Sequence, residues 1–486
     1  MERCDLAKDF SISRIITGLW QIADMERRGP VDPESAASEM ARYAEAGFTT
    51  FDLADHYGSA EDIAGAFRER YSEQLSAEIL TKWVPPPGPL TRDQVRQAVE
   101  RSLQRLRTSQ IDLLQFHAWR YFDPSWLDGL FWLDELRREG LIRYLGLTNF
   151  DTPHLAMVYH SGIEVVTNQV CFSLLDTRPR RRMLGFCAQS GIKLLAYGTL
   201  AGGFLSERWL GKPEPSAEDL ATWSQMKYFR FIQAAGGWDR FQGVLRAAHR
   251  VAQRLGVSIA NVACRFVLEH PGVGGIIVGA RLGEADHLSE NLRLFDFSLD
   301  DESKIELEEA IAALRPIPGE SGDEYRRPPF LTASGDLSHH VDSFPSPYPV
   351  QSSGNRMWVS SGTPWEDLAG YSRALRIGDR IWVSGTTATH RDRVIGGSDP
   401  ASQAHFAIDK IEGALESLGS SLENVVRTRI YLPRMEDWEA VARVHGERFR
   451  RARPANTLIR ADLVDGRYLV EIEAEALVSS SSPAPR

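Results

Sequence analysis

Cysteine is scarce in this sequence, and the few cysteines are scattered. The 486 residues include four of them, none in a Cys-x-x-Cys pair. This spacing offers no zinc motif and is typical of reduced thiols, so we expect a cytoplasmic protein without a metal site. No apolar run approaches the ~20 residues that cross a bilayer, and the polar first residues show no signal peptide, so no membrane partner is expected.

Positive charge is also in deficit. Lysine and arginine number 56 against 66 acidic residues, which gives a formal net charge of −10. Proteins that bind nucleic acid generally carry a basic surface or stripe, and this balance implies none. We therefore expect a small-molecule partner and no nucleic acid.

The length predicts more than one domain, because a chain of this size exceeds a single core at ~150 residues per domain. Composition changes near residue 316, where a stretch rich in proline, serine, glycine and charge begins. We predict a first domain over residues 1–315, a partly extended linker over 316–356, a second domain over 357–478 and a disordered tail over 479–486.

In the first domain, short apolar runs alternate with segments of helical period. Strands alternating with helices indicate a parallel sheet covered by helices, and eight strands in about 300 residues favour a (β/α)8 barrel. An open doubly wound sheet is the alternative, but the Gly-x-Gly-x-x-Gly loop after its first strand is missing. The predicted strands are Ile15–Leu19, Thr49–Leu53, Ala77–Trp83, Asp112–Phe116, Ile142–Thr148, Glu164–Gln169, Ile192–Tyr197 and Gly274–Val278.

The second domain has a different pattern, with few helices and several strands close together. We predict a smaller α+β unit with a mainly antiparallel sheet and two helices on one face. The predicted helices are Ala401–Leu418 and Glu436–Arg450. The predicted strands are Tyr371–Ile377, Arg380–Gly385, Val425–Leu432, Asn456–Ala461 and Tyr468–Val478.

Four polar side chains lie at or just after the ends of successive barrel strands: Asp52, Tyr57, Lys82 and His117. Consecutive strand ends converge on one mouth of a barrel, so these groups are expected to meet. A phenol with a pKa near ~10 is a poor acid at neutral pH, but a neighbouring ammonium lowers that value. The set therefore suits proton transfer to a carbonyl oxygen whose carbon receives a hydride.

With these residues in place, the sequence resembles the aldo-keto reductase family over about residues 11–312. Asp52–Gly58 matches its Asp-x-Ala-x-x-Tyr-Gly motif, Lys82 and His117 match its strand-end residues, Gly146–Phe150 resembles its Gly-x-Ser-Asn-Phe, and Asn168-Gln169 its Asn-Gln pair. The resemblance implies a (β/α)8 barrel that reduces an aldehyde or ketone with NADPH, which is favoured over NADH.

The same resemblance implies roles for further residues. Thr148, Asn149 and Gln169 would bind the nicotinamide carboxamide, and Tyr197 would stack on its ring. Arg281 would meet the 2′-phosphate, Glu290 and Asn291 the adenine, and Gly18 and Trp20 are assigned to the cofactor as well. Trp20, Trp83 and Trp119 are expected to wall the substrate pocket, whereas Arg178–Arg182 is interpreted as a solvated helix start.

The second domain resembles the Rid/YjgF family of reactive-intermediate deaminases, through Tyr371–Ala374, Val383–Gly385, Arg453–Ala455 and Val470–Ala474. That family forms homotrimers with clefts between subunits, and its active members hydrolyse enamines and imines. Tyr371 would line the cleft and Glu471 would position water. Asn456 stands where the family carries an arginine that binds the substrate carboxylate, so the departure disfavours amino-acid-derived 2-imino acids. A neutral imine, another carbonyl adduct and a purely trimerising role stay open.

The sequence thus predicts an NAD(P)H-dependent carbonyl reductase fused to a Rid-like domain that processes an imine or enamine or drives trimerisation. Two alternatives stay open. One is a nucleotide-sensing or assembly protein with little turnover. The other is an enzyme whose main chemistry is imine hydrolysis in the C-terminal domain.

Overall fold

The structure, a computed structural model, describes residues 1–22, 31–280, 282, 287–326 and 343–478. The chain opens with a hairpin that the sequence pattern did not predict, β1 (Arg3–Ala7) paired antiparallel with β2 (Phe10–Ser13). Leu6, Phe10 and Ile12 pack against the inward-facing Ile16 and Leu80 of the barrel. The hairpin therefore closes the end of the barrel at which the strands begin.

Eight parallel strands form a closed barrel in the order β10-β3-β4-β5-β6-β7-β8-β9. This confirms the predicted (β/α)8 fold. Each strand is short and rich in apolar residues on both faces, as expected when helices cover the outside. The strands are β3 (Ile15–Gly18), β4 (Thr50–Asp52), β5 (Glu78–Trp83), β6 (Ile111–His117), β7 (Ile142–Thr148), β8 (Thr167–Cys171), β9 (Lys193–Tyr197) and β10 (Val273–Gly279).

The helices around the barrel begin at side-chain caps that the sequence supplies. Asp32, Thr91, Asp151, Ser258 and Asp300 each accept a hydrogen bond from a backbone N–H in the first turn. The helices are α1 (Pro33–Glu45), α2 (Ala60–Tyr71), α3 (Arg92–Arg105), α4 (Ser125–Arg138), α5 (Thr152–His160), α6 (Met183–Ser190), α7 (Trp223–Ala234), α8 (Trp238–Leu255), α9 (Ile259–Leu268), α10 (Leu288–Leu292) and α11 (Asp301–Ala312).

No single helix of the described residues is long and apolar enough to cross a bilayer. Helices α8 and α9 together have that length and composition, but the pair is bent by 93°. Both helices carry buried faces in the barrel core.

The predicted linker is only partly extended. It contains a four-residue helix, α12 (Asp323–Arg326), and it ends in the first strand of the second domain. That strand begins at Val350, inside the range predicted as linker. Its residues, Val-Gln-Ser-Ser, are all exposed at the edge of a sheet, which explains why they gave no apolar signal.

The second domain contains a seven-stranded sheet in the order β11-β12-β13-β14-β19-β17-β18, antiparallel except for the β17–β18 pair. Helices α14 and α15 pack on one face, as predicted for this α+β fold. The helices are α13 (Pro364–Ala369), α14 (Pro400–Ser417) and α15 (Trp438–Arg448). The strands are β11 (Val350–Ser353), β12 (Arg356–Val359), β13 (Ala374–Ile377), β14 (Arg380–Thr387), β15 (Thr389–His390), β16 (Arg393–Val394), β17 (Val425–Leu432), β18 (Ala455–Arg460) and β19 (Glu471–Leu477).

The two domains pack against each other through α14 and α5. Two glycines allow the close approach, since a Cβ on Gly397 would lie 2.2 Å from the carbonyl oxygen of His160, and one on Gly413 would lie 2.3 Å from that of Phe122. Side chains at these positions would force the domains apart. The second domain therefore rests directly on the β6–α4 and α5 region of the barrel.

Candidate active site

A buried ion pair lies at the centre of the barrel mouth. Nζ of Lys82 donates to Oδ2 of Asp52 at 2.6 Å and to the backbone oxygen of Leu53 at 2.7 Å. The side-chain amides of Gln115 and Gln169 donate to the other carboxylate oxygen of Asp52, at 3.2 and 2.7 Å. Burial lowers the pKa of Lys82, and the neighbouring carboxylate opposes that effect. The lysine is thus held in one position by two acceptors, and the two amides orient the carboxylate that is one of them.

Tyr57 lies directly over this pair. Its ring centroid is 5.0 Å from Nζ of Lys82, and the Trp20 ring approaches it edge-on at 4.9 Å. A backbone hydrogen bond from Tyr57 to Ala54 closes the turn that carries the tyrosine out of β4. The phenol is half-buried, so a substrate in the mouth can reach a tyrosine whose ring stands beside an ammonium.

His117 ends β6 and is buried at the same mouth. Its ring meets Trp119 edge-on at 4.7 Å and Tyr325 at 5.8 Å. The strand register places His117 beside Thr148, the last residue of β7. The structure therefore gathers Asp52, Lys82 and Tyr57 into one contact set and sets His117 at the end of an adjoining strand.

The residues assigned to the nicotinamide lie at neighbouring strand ends. The Tyr197 hydroxyl donates to Oδ1 of Asn149 at 2.7 Å, and the Thr148 hydroxyl donates to the backbone oxygen of Gln169 at 3.3 Å. Asn149 adopts a φ of 61°, in the left-handed region that asparagine tolerates better than most residues. The Gln169 amide points to Asp52, so in this structure Gln169 joins the hydrogen-bond network of the ion pair.

Helix α12 lies across the mouth, a feature that sequence reasoning missed. Glu324 is fully buried, pairs with Nη1 of Arg178 at 2.9 Å and comes within 3.3 Å of the Tyr197 hydroxyl. Arg178 pairs at the same time with Asp176 at 2.7 Å. Although burial acts to raise it, the adjacent cations hold the pKa of Glu324 below its ordinary value. This turn is therefore anchored by a buried charge.

The next two residues of α12 also contact the site. The hydroxyl of Tyr325 accepts a hydrogen bond from Lys227, whose Nζ lies 4.4 Å from the Tyr325 ring centroid. The guanidinium of Arg326 stacks 4.0 Å from the Tyr121 ring centroid and donates to the backbone oxygen of Asn149. Both contacts place linker residues against groups at the ends of barrel strands.

Two features of the sequence could have indicated this turn: the glycine at position 322 and the arginine at position 178. Gly322 has a φ of 89°, and a Cβ there would lie 2.0 Å from the backbone oxygen of Asn149, so only glycine fits. The interpretation of Arg178–Arg182 as a solvated helix start was wrong for its first member, which is buried. A buried arginine needs carboxylate partners, and one of them is the linker residue Glu324.

The predicted pocket tryptophans occupy different environments. Trp119 stands beside His117 and donates from Nε1 to the backbone oxygen of Pro85 at 2.7 Å. Phe344, from the end of the linker, approaches it at 6.1 Å. Trp83 is buried with Phe116 at 5.8 Å in the main core. Of the three, Trp20 and Trp119 contact members of the proton-transfer set.

The residues assigned to the far end of the cofactor are placed in part. Gly18 ends β3, where a Cβ would meet Ile277 at 2.8 Å. Glu290 and Asn291 lie on α10, whose backbone is tied to the barrel by Asn261, which donates to the carbonyl oxygen of Glu290 at 3.0 Å. Arg281 lies outside the described residues. Over the residues described, no group of three histidine, cysteine, aspartate or glutamate side chains is placed to hold a metal ion.

In the second domain, Tyr371 and Glu471 lie near one buried arginine. Arg373 donates from Nη2 to the Tyr371 hydroxyl at 3.3 Å and from Nη1 to the backbone oxygen of Gly385 at 2.6 Å. Glu471 packs on Gly385, where a Cβ would lie 1.9 Å from its Oε1. Burial raises the pKa of Glu471, and Arg373 opposes this shift.

Asn456 does not join that group within one chain. Its amide donates to the Thr428 hydroxyl at 2.9 Å, and Thr428 is also hydrogen-bonded to Nε2 of His445 at 2.9 Å. His445 lies on α15, so Asn456 faces the helix-covered side of the sheet together with Leu458. Glu471 alternates with the core residue Ile472 and therefore faces the opposite side.

A sequence model of the Aldo/keto reductase family matches residues 14–312. The chain belongs to this family. A second model, described as Endoribonuclease L-PSP, matches residues 364–478, and both resemblances predicted from the motifs are thereby confirmed. The aldo/keto reductase family uses nicotinamide cofactors and reduces carbonyl groups, so the chain is an oxidoreductase by membership.

Relatives match the two parts separately. An uncharacterized protein from Streptomyces coelicolor is 41% identical over 119 residues, which cover 24% of this chain and 89% of that protein. A chloroplastic pyridoxal reductase from Arabidopsis thaliana is 26% identical over 302 residues, covering 57% of this chain and 76% of the relative. The structure of a glycerol dehydrogenase from Gluconobacter oxydans has a TM-score of 0.54 at 23% identity, covers 65% of this chain and 97% of its own, and shows the fold alone.

The side chains at the mouth fit a nicotinamide ring. Tyr197 offers a flat aromatic face. The side-chain amide of Asn149 lies beside it, because its Oδ1 accepts a hydrogen bond from the Tyr197 hydroxyl. A planar ring that carries a carboxamide uses both kinds of contact. Both residues lie at the carboxyl ends of the strands, on the same side of the barrel as the Lys82–Asp52 pair.

Proposed function

We propose that the barrel is an NADPH-dependent reductase that converts an aldehyde or ketone to an alcohol, with Tyr57 as the proton donor. The observation that carries the proposal is the 2.6 Å contact between Lys82 and Asp52 with the Tyr57 ring over Nζ. An ammonium that is held in place by a carboxylate stabilises the phenolate that remains after proton transfer. Without such a partner, the pKa of a phenol is too high for efficient proton donation at neutral pH.

Each residue then has a separate task. Tyr57 hydrogen-bonds the carbonyl oxygen and delivers its proton there, while Lys82 balances the charge left on the phenolate. Asp52 orients Lys82, and His117 orients the carbonyl from the neighbouring strand end. Bound NADPH supplies the hydride. Tyr197, Asn149 and Thr148 would hold the nicotinamide, and the half-buried position of Tyr57 leaves it accessible to a substrate in the mouth.

Steady-state oxidation of NADPH with a panel of carbonyl compounds tests the assignment. We expect Tyr57→Phe to lower kcat by about 10²–10⁴, the usual contribution of a general acid, with little change in NADPH affinity. Equal rates for the two proteins would contradict the proposal. NADPH binding without turnover on any substrate would favour the alternative of a nucleotide sensor.

The preference for NADPH over NADH rests on the position of Arg281 in the family pattern. An arginine suits a 2′-phosphate because its planar fork donates two parallel hydrogen bonds. We expect Arg281→Ala to weaken NADPH binding about tenfold, in line with the loss of one charged contact, and to leave NADH binding unchanged. An equal loss for both nucleotides would assign Arg281 another role.

For the second domain we propose assembly into a homotrimer through the face of the sheet that α14 and α15 leave uncovered. That face carries the exposed apolar side chains Trp382 and Ile459, which alternate with core residues along β14 and β18. Sedimentation of the intact chain should give three times the monomer mass. A monomer would contradict the proposal.

A hydrolytic role of that domain toward imines is the second candidate, supported by Glu471 beside Arg373 and Tyr371. Asn456 bonds to Thr428 and lacks the charge that would bind a carboxylate, so a neutral imine is the expected substrate class. Loss of imine hydrolysis in Glu471→Ala, with carbonyl reduction intact, would support this activity.

We also propose a cytoplasmic location, which the four free thiols favour.

A further inference from the structure

A buried charged network connects the second domain to the barrel at a point close to the reductase site. His154, on α5 of the barrel, places Nδ1 2.6 Å from Oδ1 of Asp151 and Nε2 2.9 Å from Oδ2 of Asp409. Asp409 lies on α14 of the second domain and is itself paired with Arg448 at 2.6 Å. The triad formed by Asp151, His154 and Asp409 is nearly inaccessible to solvent. A histidine between two buried carboxylates is a strong and directional link between the domains.

The barrel end of this network reaches the residue assigned to the nicotinamide. Asp151 follows Asn149 by two residues, caps α5 by accepting from the backbone N–H of His154 at 2.9 Å, and donates its own N–H to the Tyr121 hydroxyl at 3.1 Å. The His154 ring stacks on Tyr121 with 3.3 Å between centroids. Since Asn149 holds a left-handed backbone conformation, the turn needs such external support to keep its geometry.

The network carries a fixed charge pattern at neutral pH. Burial alone would lower the pKa of His154, but the two carboxylates outweigh it and raise that pKa to about 9. Burial, aided by Arg448, lowers the pKa of the adjacent His405 to about 4, so this second histidine is neutral. The titratable and charged groups that face His154 from the surrounding elements are Asp151, Asp409, His405, Arg448, Arg326 and Tyr121.

We propose that Asp409 of the second domain is a positioning residue for the reductase: through His154 and Asp151 it fixes the Asn149 turn and thereby the nicotinamide. This inference rests on the proposed reductase function. It gives the fusion a physical consequence, because a residue outside the barrel completes the support of the cofactor site. The two domains are then joined in function as well as in sequence.

The same interface contains a matched control. Asp128 on α4 pairs with His390 of the second domain at 2.8 Å and with Arg391 at 2.8 Å. This pair also crosses the domain boundary through a histidine and an aspartate, yet Asp128 belongs to a different helix from the one that follows the Asn149 turn. A neutral substitution there also removes a histidine–aspartate pair from the interface, without changing the triad.

The test compares Asp409→Asn with Asp128→Asn in the full-length chain. The dissociation constant of NADPH is measured by quenching of tryptophan fluorescence from pH 6.5 to 8.5, together with kcat and the KM for cofactor. We expect Asp409→Asn to weaken NADPH binding about fivefold or more, the lower range of coupling between distinct sites, and kcat at saturation to stay within about twofold of wild type. The loss of NADPH affinity should grow as pH rises, because His154 with only one carboxylate partner loses its proton at a lower pH than in wild type. Asp128→Asn should bind NADPH as wild type does.

His154→Gln provides a second test if Asp409→Asn folds poorly, and it should weaken binding at all pH values alike. Equal NADPH affinity in Asp409→Asn and Asp128→Asn, at every pH, would overturn the positioning role while leaving the reductase proposal intact. A wild-type chain that binds no NADPH would instead overturn the reductase proposal on which this one rests.

Discussion

The hydroxyl oxygen of Tyr197 lies 3.3 Å from Oε1 of Glu324, although the two residues belong to the barrel and to the chain that leaves it. Glu324 is fully buried and pairs with Arg178. Tyr197, whose ring is assigned to stack on the nicotinamide, is therefore held partly by a linker residue. The linker in this protein is a structural component of the reductase mouth in addition to a connection between domains.

The first prediction concerns this anchor. Glu324→Gln removes a charge from a buried pair and leaves Arg178 with Asp176 as its remaining carboxylate, and we expect a loss of about 3–5 kcal/mol in stability. The measurement is the urea midpoint of the intact chain. Glu308→Gln is the matched control, because Glu308 pairs with the adjacent Arg180 at 2.8 Å on the exposed surface, where about 0–1 kcal/mol is expected. Equal midpoints for the two variants would show that the buried pair contributes no more to stability than the exposed pair does.

The second prediction concerns the next residue of the turn. Tyr325 lies 5.8 Å from His117 and accepts a hydrogen bond from Lys227. Tyr325→Ala should raise the KM for the carbonyl substrate about tenfold, the effect of losing an aromatic contact of about 1.4 kcal/mol, and should lower kcat much less. Tyr325→Phe keeps the ring and should retain most of the affinity. A drop in kcat with unchanged KM would place Tyr325 in the chemistry instead.

The sequence predicted the barrel well because each strand is a buried apolar run that stops at a polar or loop-forming residue. The proton-transfer residues could be found for the same reason, since Asp52, Lys82 and His117 all stand at such stops. Helix α12 could not be found from periodicity, because four residues carry no helical period. The link between His154 and Asp409 joins residues 255 positions apart, and no spacing within either segment indicates it.

The third prediction tests the ion pair under Tyr57. Lys82→Met removes the ammonium and should lower kcat by about 10²–10⁴, because the phenolate then loses its counter-charge. Lys193→Met is the control: Lys193 begins β9 and so lies at the opposite end of the barrel. We expect Lys193→Met to match wild type in steady-state assays. Comparable activity in the two variants would remove Lys82 from the mechanism.

The fourth prediction is a pH dependence of stability that comes from His154. Its pKa of about 9 in the folded protein exceeds the ordinary value of 6.5, so protonation favours the folded state. The stabilisation is fully present below pH 6.5 and is lost as pH rises through about 9, with a total of about 3 kcal/mol. The carboxylates of Asp151 and Asp409 act in the opposite direction, because their pKa values are lowered and their stabilisation is lost in acid.

Urea unfolding of wild type and His154→Gln at pH 6.5, 8 and 9.5 measures this contribution as the difference between the two proteins, so that other groups cancel. The difference should be largest at pH 6.5 and should shrink steadily toward pH 9.5. His160→Gln is the control on the same helix, since the His160 ring packs edge-on against Tyr159 at 5.2 Å. It should show the wild-type dependence on pH. A difference for His154→Gln that stays constant across the range would mean that the histidine holds the domains together through packing and hydrogen bonds, with no contribution from its charge.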